Sequence, residues 1–182
     1  MRNTVADDRS GVYNSVYARG EMRKRSYRVL VFCLAIAFIW LAAIVSPPVL
    51  ASLGSHPAAA GVFSFFGWMC HQIPERSFHF AGEQLGVCSR CFGVYFGLLV
   101  GFAVYPLWRN IENIEPLPRL WLFASIVPLG IDFALTFFGI WENTHFSRFV
   151  TGLILGAACA TYIIPAAVEI AQNFAHARAR RA

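Results

Sequence analysis

Charge is what this sequence has least of. Asp, Glu, Lys and Arg make up 14% of its 182 residues, against about 25% in soluble domains. Hydrophobic residues make up 57% and the mean hydropathy is +0.53. So few ionised groups cannot cover a water-facing surface, so lipid must cover much of it and an ordinary soluble domain is excluded. No basic face interleaved with aromatic residues occurs in any apolar segment, which sets nucleic acid aside as a partner despite the net charge of +5. A second C-x-x-C is missing. The one present is followed by Phe92 rather than His, so the c-type haem pattern is absent. No acid–base pair beside an activated nucleophile stands out, so no hydrolase is implied and enzyme activity stays an open question.

Long apolar runs are abundant. Four of them are near the roughly 20 residues that cross a bilayer core of about 30 Å: 29–51, 87–108, 120–140 and 149–170. The first ends near Pro47 and Pro48. The second carries Arg90 near its start, the third carries Asp132, and the fourth carries Glu169 at its end. The first run is longer than a signal-peptide core and its leading segment is too long for one, so it reads as a retained helix. A shorter piece, 57–69, rich in Ala, Phe and Gly, reads as a helix lying on or dipping into the interface. The expected fold is all-α and polytopic: four transmembrane helices plus that short interfacial helix in the first outer loop. The expected domains are a disordered tail over 1–27, a membrane domain over 28–171 and a basic tail over 172–182.

Basic residues give the bundle a direction. Twelve of the 15 Lys and Arg lie in the two tails and the second-to-third connection; the other three are Arg76, Arg90 and Arg148. The positive-inside rule then places both termini in the cytoplasm of a cell whose inner (plasma) membrane holds the protein. Trp108 and Trp121 fall at the inner interface, Trp68 and Trp141 at the outer one. Gly93, Gly97 and Gly101 on the second run, and Gly152, Gly156 and Ala160 on the fourth, recur every four residues. Small residues at that spacing let helix backbones approach closely. Pro128 and Pro165 each remove a backbone hydrogen bond and are candidate kinks.

With that orientation, the chemistry-bearing residues gather on the outer side. Cys70 and His71 precede the second run, and Cys88 and Cys91 form a C-x-x-C at its start. Three thiolates and one imidazole make a common tetrahedral zinc set, with the C-x-x-C supplying two ligands. His71 is the first choice for the fourth position, with His79, His145 and Asp132 as alternatives. Asp132 within a bilayer needs a cationic partner, and Arg90 and Arg148 are the candidates. Arg76, Arg90, Asp132, His145 and Arg148 form the polar surroundings. The same cysteines admit other readings. Cys88–Cys91 is a redox pair passing electrons to a quinone, or a static disulfide clamping the loop. A third reading makes the protein a transporter or channel component using Asp132. Cys33 and Cys159 read as small buried apolar groups, and His56 and His176 as solvated. The metal reading gives the ion, zinc or another transition metal, a structural or sensing role. The lipid bilayer is the expected partner; a protein partner is not indicated.

Two stretches are distinctive: Cys70-His71-Gln72 with Pro74, Arg76 and Ser77, and Cys88, Arg90, Cys91, Gly93, Tyr95 and Gly97. Together with Asp132, Arg148, Thr151 and Gly152 they resemble a family of prokaryotic membrane proteins known as domain of unknown function 2085. The resemblance spans about 67–156. It implies a membrane protein whose cysteine-rich element matters, and it names no substrate. The family pattern has Asn three residues before the Arg. Here His145 stands there and Asn143 two residues earlier, so the polar role falls either to His145 or to Asn143.

Overall fold

A computed structural model describes residues 4–179, with the side chains of 4–19, His176 and Ala179 outside the description. The basic residues Arg2, Arg9, Arg19, Arg180 and Arg181 of the two tails therefore lie outside the described side chains. The chain is all-α and polytopic. Helix α1 runs Thr4–Ser52, α2 His56–Gly67, α3 Ser89–Trp108, α4 Arg119–Phe137 and α5 His145–Ala179. Four of these, α1, α3, α4 and α5, are long and apolar enough to cross a membrane. Their outward faces carry Phe32, Phe38, Ile39, Leu120, Phe123 and many similar side chains in exposed positions. Such a surface is unfavourable in water and natural against lipid chains.

The short apolar piece forms the expected extra helix. Helix α2 starts after Ser55 with a proline in its first turn, where the missing N–H costs nothing. Helix α1 continues through Pro47 and Pro48 to Ser52, within a residue of the expected end of the run. At its other end its backbone is helical back to Thr4. Helix α5 likewise continues past the apolar run to Ala179. One small element is not helical: strands β1 (His79–Phe80) and β2 (Glu83–Gln84) pair antiparallel around Ala81 and Gly82. Both turn residues have positive φ, at 51° and 84°, as a two-residue turn that matches strand twist requires.

Helices α3 and α5 pack most closely. A Cβ on Gly93, Gly97 or Gly101 would strike Phe149, Leu153, Ala157 or Ala160 of α5. A Cβ on Gly152 or Gly156 would strike the carbonyls of Arg90 and Val94 on α3. The two glycine faces expected to meet other helices thus meet each other, backbone on backbone. Two apolar clusters fill the interior. Leu30, Phe102, Tyr105, Ile111, Ala160, Ile164 and Val168 occupy one end, beside the α3–α4 connection. Leu41, Ile44, Phe66, Cys70 and Val87 occupy the other, beneath the cysteine loop.

Candidate metal centre

The loop between α2 and α3 is held by side chains rather than by regular structure. Cys70 caps the end of α2, its N–H donating to the Phe66 carbonyl at 3.0 Å. Two residues on, Gln72 sits at φ 48°, in the left-handed region that non-glycine residues seldom adopt. Its amide holds it there, donating to the carbonyls of Phe63 and Gly86, both at 2.7 Å. Gln84, returned by the hairpin, donates to the Gln72 carbonyl at 2.8 Å and to Ser77 Oγ at 2.9 Å. Gly86 lies against α1, its N–H donating to the Ile44 carbonyl at 2.9 Å; a Cβ there would press on the Phe66 ring. These contacts bend the chain so that Cys70 faces the start of α3.

There the three cysteines converge. The Sγ atoms of Cys70, Cys88 and Cys91 all lie within 4.8 Å of one another. All three are free thiols, with Cys70 buried and the others half-buried. Thiolates bound to zinc at about 2.3 Å in a tetrahedron stand about 3.8 Å apart, so the donor set fits one such ion with small adjustments. The Cys88 N–H donates to Cys70 Sγ at 3.2 Å. The Cys88 thiol is held well below its ordinary pKa. The Cys70 side chain is the largest cause, followed by the Cys91 side chain and then the Cys91 and Arg90 backbone N–H groups, against an opposing effect of burial. Cys33 and Cys159, by contrast, are half-buried and stand apart from this group.

The expected histidine ligands do not join the triad. His71 lines the cavity beside it, but its ring nitrogens are outside the group of mutually close ligand atoms. His79 is exposed on the hairpin. His145 is engaged elsewhere: its Nδ1 lies 3.0 Å from Ser89 Oγ, and its ring is 5.7 Å from that of Phe78. Since Ser89 Oγ donates to the Arg76 carbonyl at 2.9 Å, it accepts from His145 Nδ1–H, which fixes the tautomer. His145 therefore ties the start of α5 to the start of α3.

A second polar group sits beside the thiols. Arg90 Nη2 meets Asp132 Oδ2 at 2.5 Å. Asn143 Nδ2 donates to the same oxygen at 2.8 Å, and Asn143 Oδ1 accepts from Arg148 Nε at 2.6 Å. The order is thus Arg90, Asp132, Asn143, Arg148: one arginine pairs with the acid directly and the other through Asn143. Of the two positions left open for the polar role, Asn143 is the one that contacts Asp132. Helix α5 is started by Thr144, whose Oγ1 accepts from the Ser147 N–H at 3.1 Å. This places Asn143 just before the helix and Arg148 in its first turn.

The triad and the polar group share one half-open cavity of about 570 Å³. Cys70, Cys88, Cys91, Arg76, Arg90 and Arg148 line its polar side, and Met69, Ile73, Phe133 and Phe137 its apolar side. Residues 70–162 match the family described as predicted membrane protein DUF2085. This chain belongs to that family. An uncharacterised protein of Methanocaldococcus jannaschii is 34% identical over 110 residues, 60% of this chain and 70% of the relative. An uncharacterised protein of Methanothermobacter thermautotrophicus is 35% identical over 95 residues, 52% of this chain and 84% of the relative. No solved structure matches. The span of the DUF2085 match opens on Cys70 and closes in α5, so it contains the thiol triad, the Arg90–Asp132–Asn143–Arg148 network and the α3–α5 glycine contact.

Proposed function

We propose that the protein is a membrane-embedded metal-binding protein whose Cys70, Cys88 and Cys91 thiolates hold one transition-metal ion, zinc in particular, in a structural or sensing role. The observation that carries this reading is the convergence of three sulfurs from two separate segments onto one cavity wall. The ion would join the loop after α2 to the start of α3. Its fourth position falls on the cavity side, where His71 is the candidate ligand. Arg76, Arg90, Asp132, His145 and Arg148 would surround it: the arginines balance thiolate charge, and His145 holds the α3 and α5 ends in place. The membrane domain would span 28–171, with the cluster on the outer face of the inner (plasma) membrane and both termini cytoplasmic. That orientation rests on the bias of basic residues toward the opposite end.

Purified protein is expected to carry about one zinc per chain by elemental analysis, with Cys88→Ser and Cys70→Ser losing it. Wild-type protein that is metal-free as isolated, takes up none on titration and keeps its thermal midpoint under chelation would overturn the assignment. The low pKa of Cys88 also supports a thiol–disulfide exchange role, in which a Cys88–Cys91 pair passes electrons to a quinone. Bound quinone together with a labile disulfide would favour that role. A transport role for Asp132 has less support, because its carboxylate is held by Arg90 and Asn143. Unchanged ion flux in proteoliposomes bearing Asp132→Asn would remove it.

A further inference from the structure

The cavity beside the thiols contains more positive charge than its own carboxylate can balance. Arg76, Arg90 and Arg148 all line it, from the loop, from α3 and from α5. Among the described residues the only salt bridge there is Arg90–Asp132. A zinc ion with three thiolates, or a lone Cys88 thiolate without metal, would each offset one further positive charge, so one stays uncompensated either way.

Their hydrogen-bonding capacity is also unfilled. Arg148 is only 9% exposed, yet its single protein bond is from Nε to Asn143. Arg148 lines the cavity, and its two terminal nitrogens have no protein acceptor among the described residues while keeping access to solvent. Arg90 Nε is buried without a partner. Arg76 makes no side-chain hydrogen bond among the described residues. Arg90 Nε is the donor of this group that is buried and unmet, which is costly, while the open donors of Arg148 and Arg76 are available to a ligand that enters the cavity. Arg76 and Arg90 add like charge around Arg148, which Asp132 and Cys88 offset in part.

We propose that this cavity binds the phosphate group of an amphipathic phosphate ester. Three arginines converging from three elements suit the several oxygens of a tetrahedral phosphate, and arginine forks match phosphate geometry well. The apolar wall of Met69, Ile73, Phe133 and Phe137 suits a hydrocarbon or aromatic substituent. A volume of about 570 Å³ is in the usual range for small-molecule sites. Two sources share this chemistry: a phospholipid headgroup entering from the adjacent leaflet, and a soluble phosphate ester. The inference does not depend on the metal.

The test uses full-length protein in an uncharged maltoside detergent, with and without zinc. Phenyl phosphate is titrated by calorimetry, with phenol and benzoate as controls. Retention of phosphatidylglycerol is counted by native mass spectrometry, with diacylglycerol as control. Wild-type protein is expected to bind one phosphate-bearing molecule and to reject both neutral controls. Arg76→Gln should weaken it about tenfold, the loss of a charged hydrogen bond, and Arg76→Lys by less. Arg76 is exposed on the loop, so neither change disturbs the core. Binding of phenyl phosphate alone assigns a soluble ligand, binding of phosphatidylglycerol alone a lipid, and binding of both the shared group. The proposal is overturned if neither probe exceeds its control, if benzoate binds as well as phenyl phosphate, or if Arg76→Gln binds as wild type does. Because binding is measured with and without zinc, absence of a metal site leaves each of these outcomes readable.

Discussion

Asn143 bears more of the polar network than its single side chain suggests. It donates to Asp132 and accepts from Arg148, so removing it leaves a half-buried carboxylate and a buried guanidinium each short of a partner. Asn143→Ala is expected to destabilise the protein by about 1–3 kcal/mol, read as a lower thermal midpoint in detergent. A second prediction concerns the thiols. Metal binds thiolates, so protons leave as it enters. The Cys88 pKa is lowered, so that sulfur is ionised more readily than an ordinary thiol before metal arrives. Zinc binding at pH 7 should therefore release about two protons rather than three, measured by calorimetry in buffers of different ionisation enthalpy. A count of three would mean that Cys88 titrates as an ordinary thiol. The cysteines were legible in the sequence because their spacing is itself a chemical signal. Gln72 was visible only as part of a resemblance. Its role depends on a positive φ and on two carbonyls, Phe63 and Gly86, that are distant in the chain, and no spacing rule reports those.

At the scale of elements, the α3–α5 contact decides where the site sits. Gly93 and Gly152 lie at its cysteine end, so the same close approach that packs the helices brings Arg90 and Arg148 to one cavity. Gly156→Val would drive a side chain into the Val94 carbonyl. Backbone cannot yield as a flexible side chain does, so a loss of at least about 1–3 kcal/mol is expected. Unfolding titrations in mixed micelles would read it, and a change below half a kcal/mol, on the order of ordinary surface substitutions, would argue against the contact. Gly130 on α4 meets nothing within 4 Å, so Gly130→Ala is the matched control and should be close to neutral. The small-residue periodicity showed that both helices had packing faces. Which face met which was not legible, because spacing along one helix carries no information about its partner.

Across the whole molecule, the cysteine triad and one group of basic residues stand at opposite ends, while Arg76, Arg90 and Arg148 stay beside the triad. The described basic residues Arg23 and Arg109 share the end that includes the α3–α4 connection, while Cys70, Cys88 and Cys91 line the cavity at the other. If the positive-inside rule governs this chain, a membrane-impermeant maleimide should label Glu83→Cys in intact cells and Glu112→Cys only after permeabilisation. The reverse pattern would place the thiols in the cytoplasm and remove the oxidising compartment that the disulfide reading needs. The apolar runs by themselves determined that this is a membrane protein with four candidate spans, because burial in lipid demands long apolar segments whatever their arrangement. The sequence also determined which residues were chemically able to hold a metal. Only the tertiary structure decided that three sulfurs meet while His71 stands aside and His145 turns to Ser89. It alone showed that Asn143 links Asp132 to Arg148. Those outcomes depend on a bent loop, a two-residue hairpin and a backbone-to-backbone helix contact, each of which joins residues far apart in the chain.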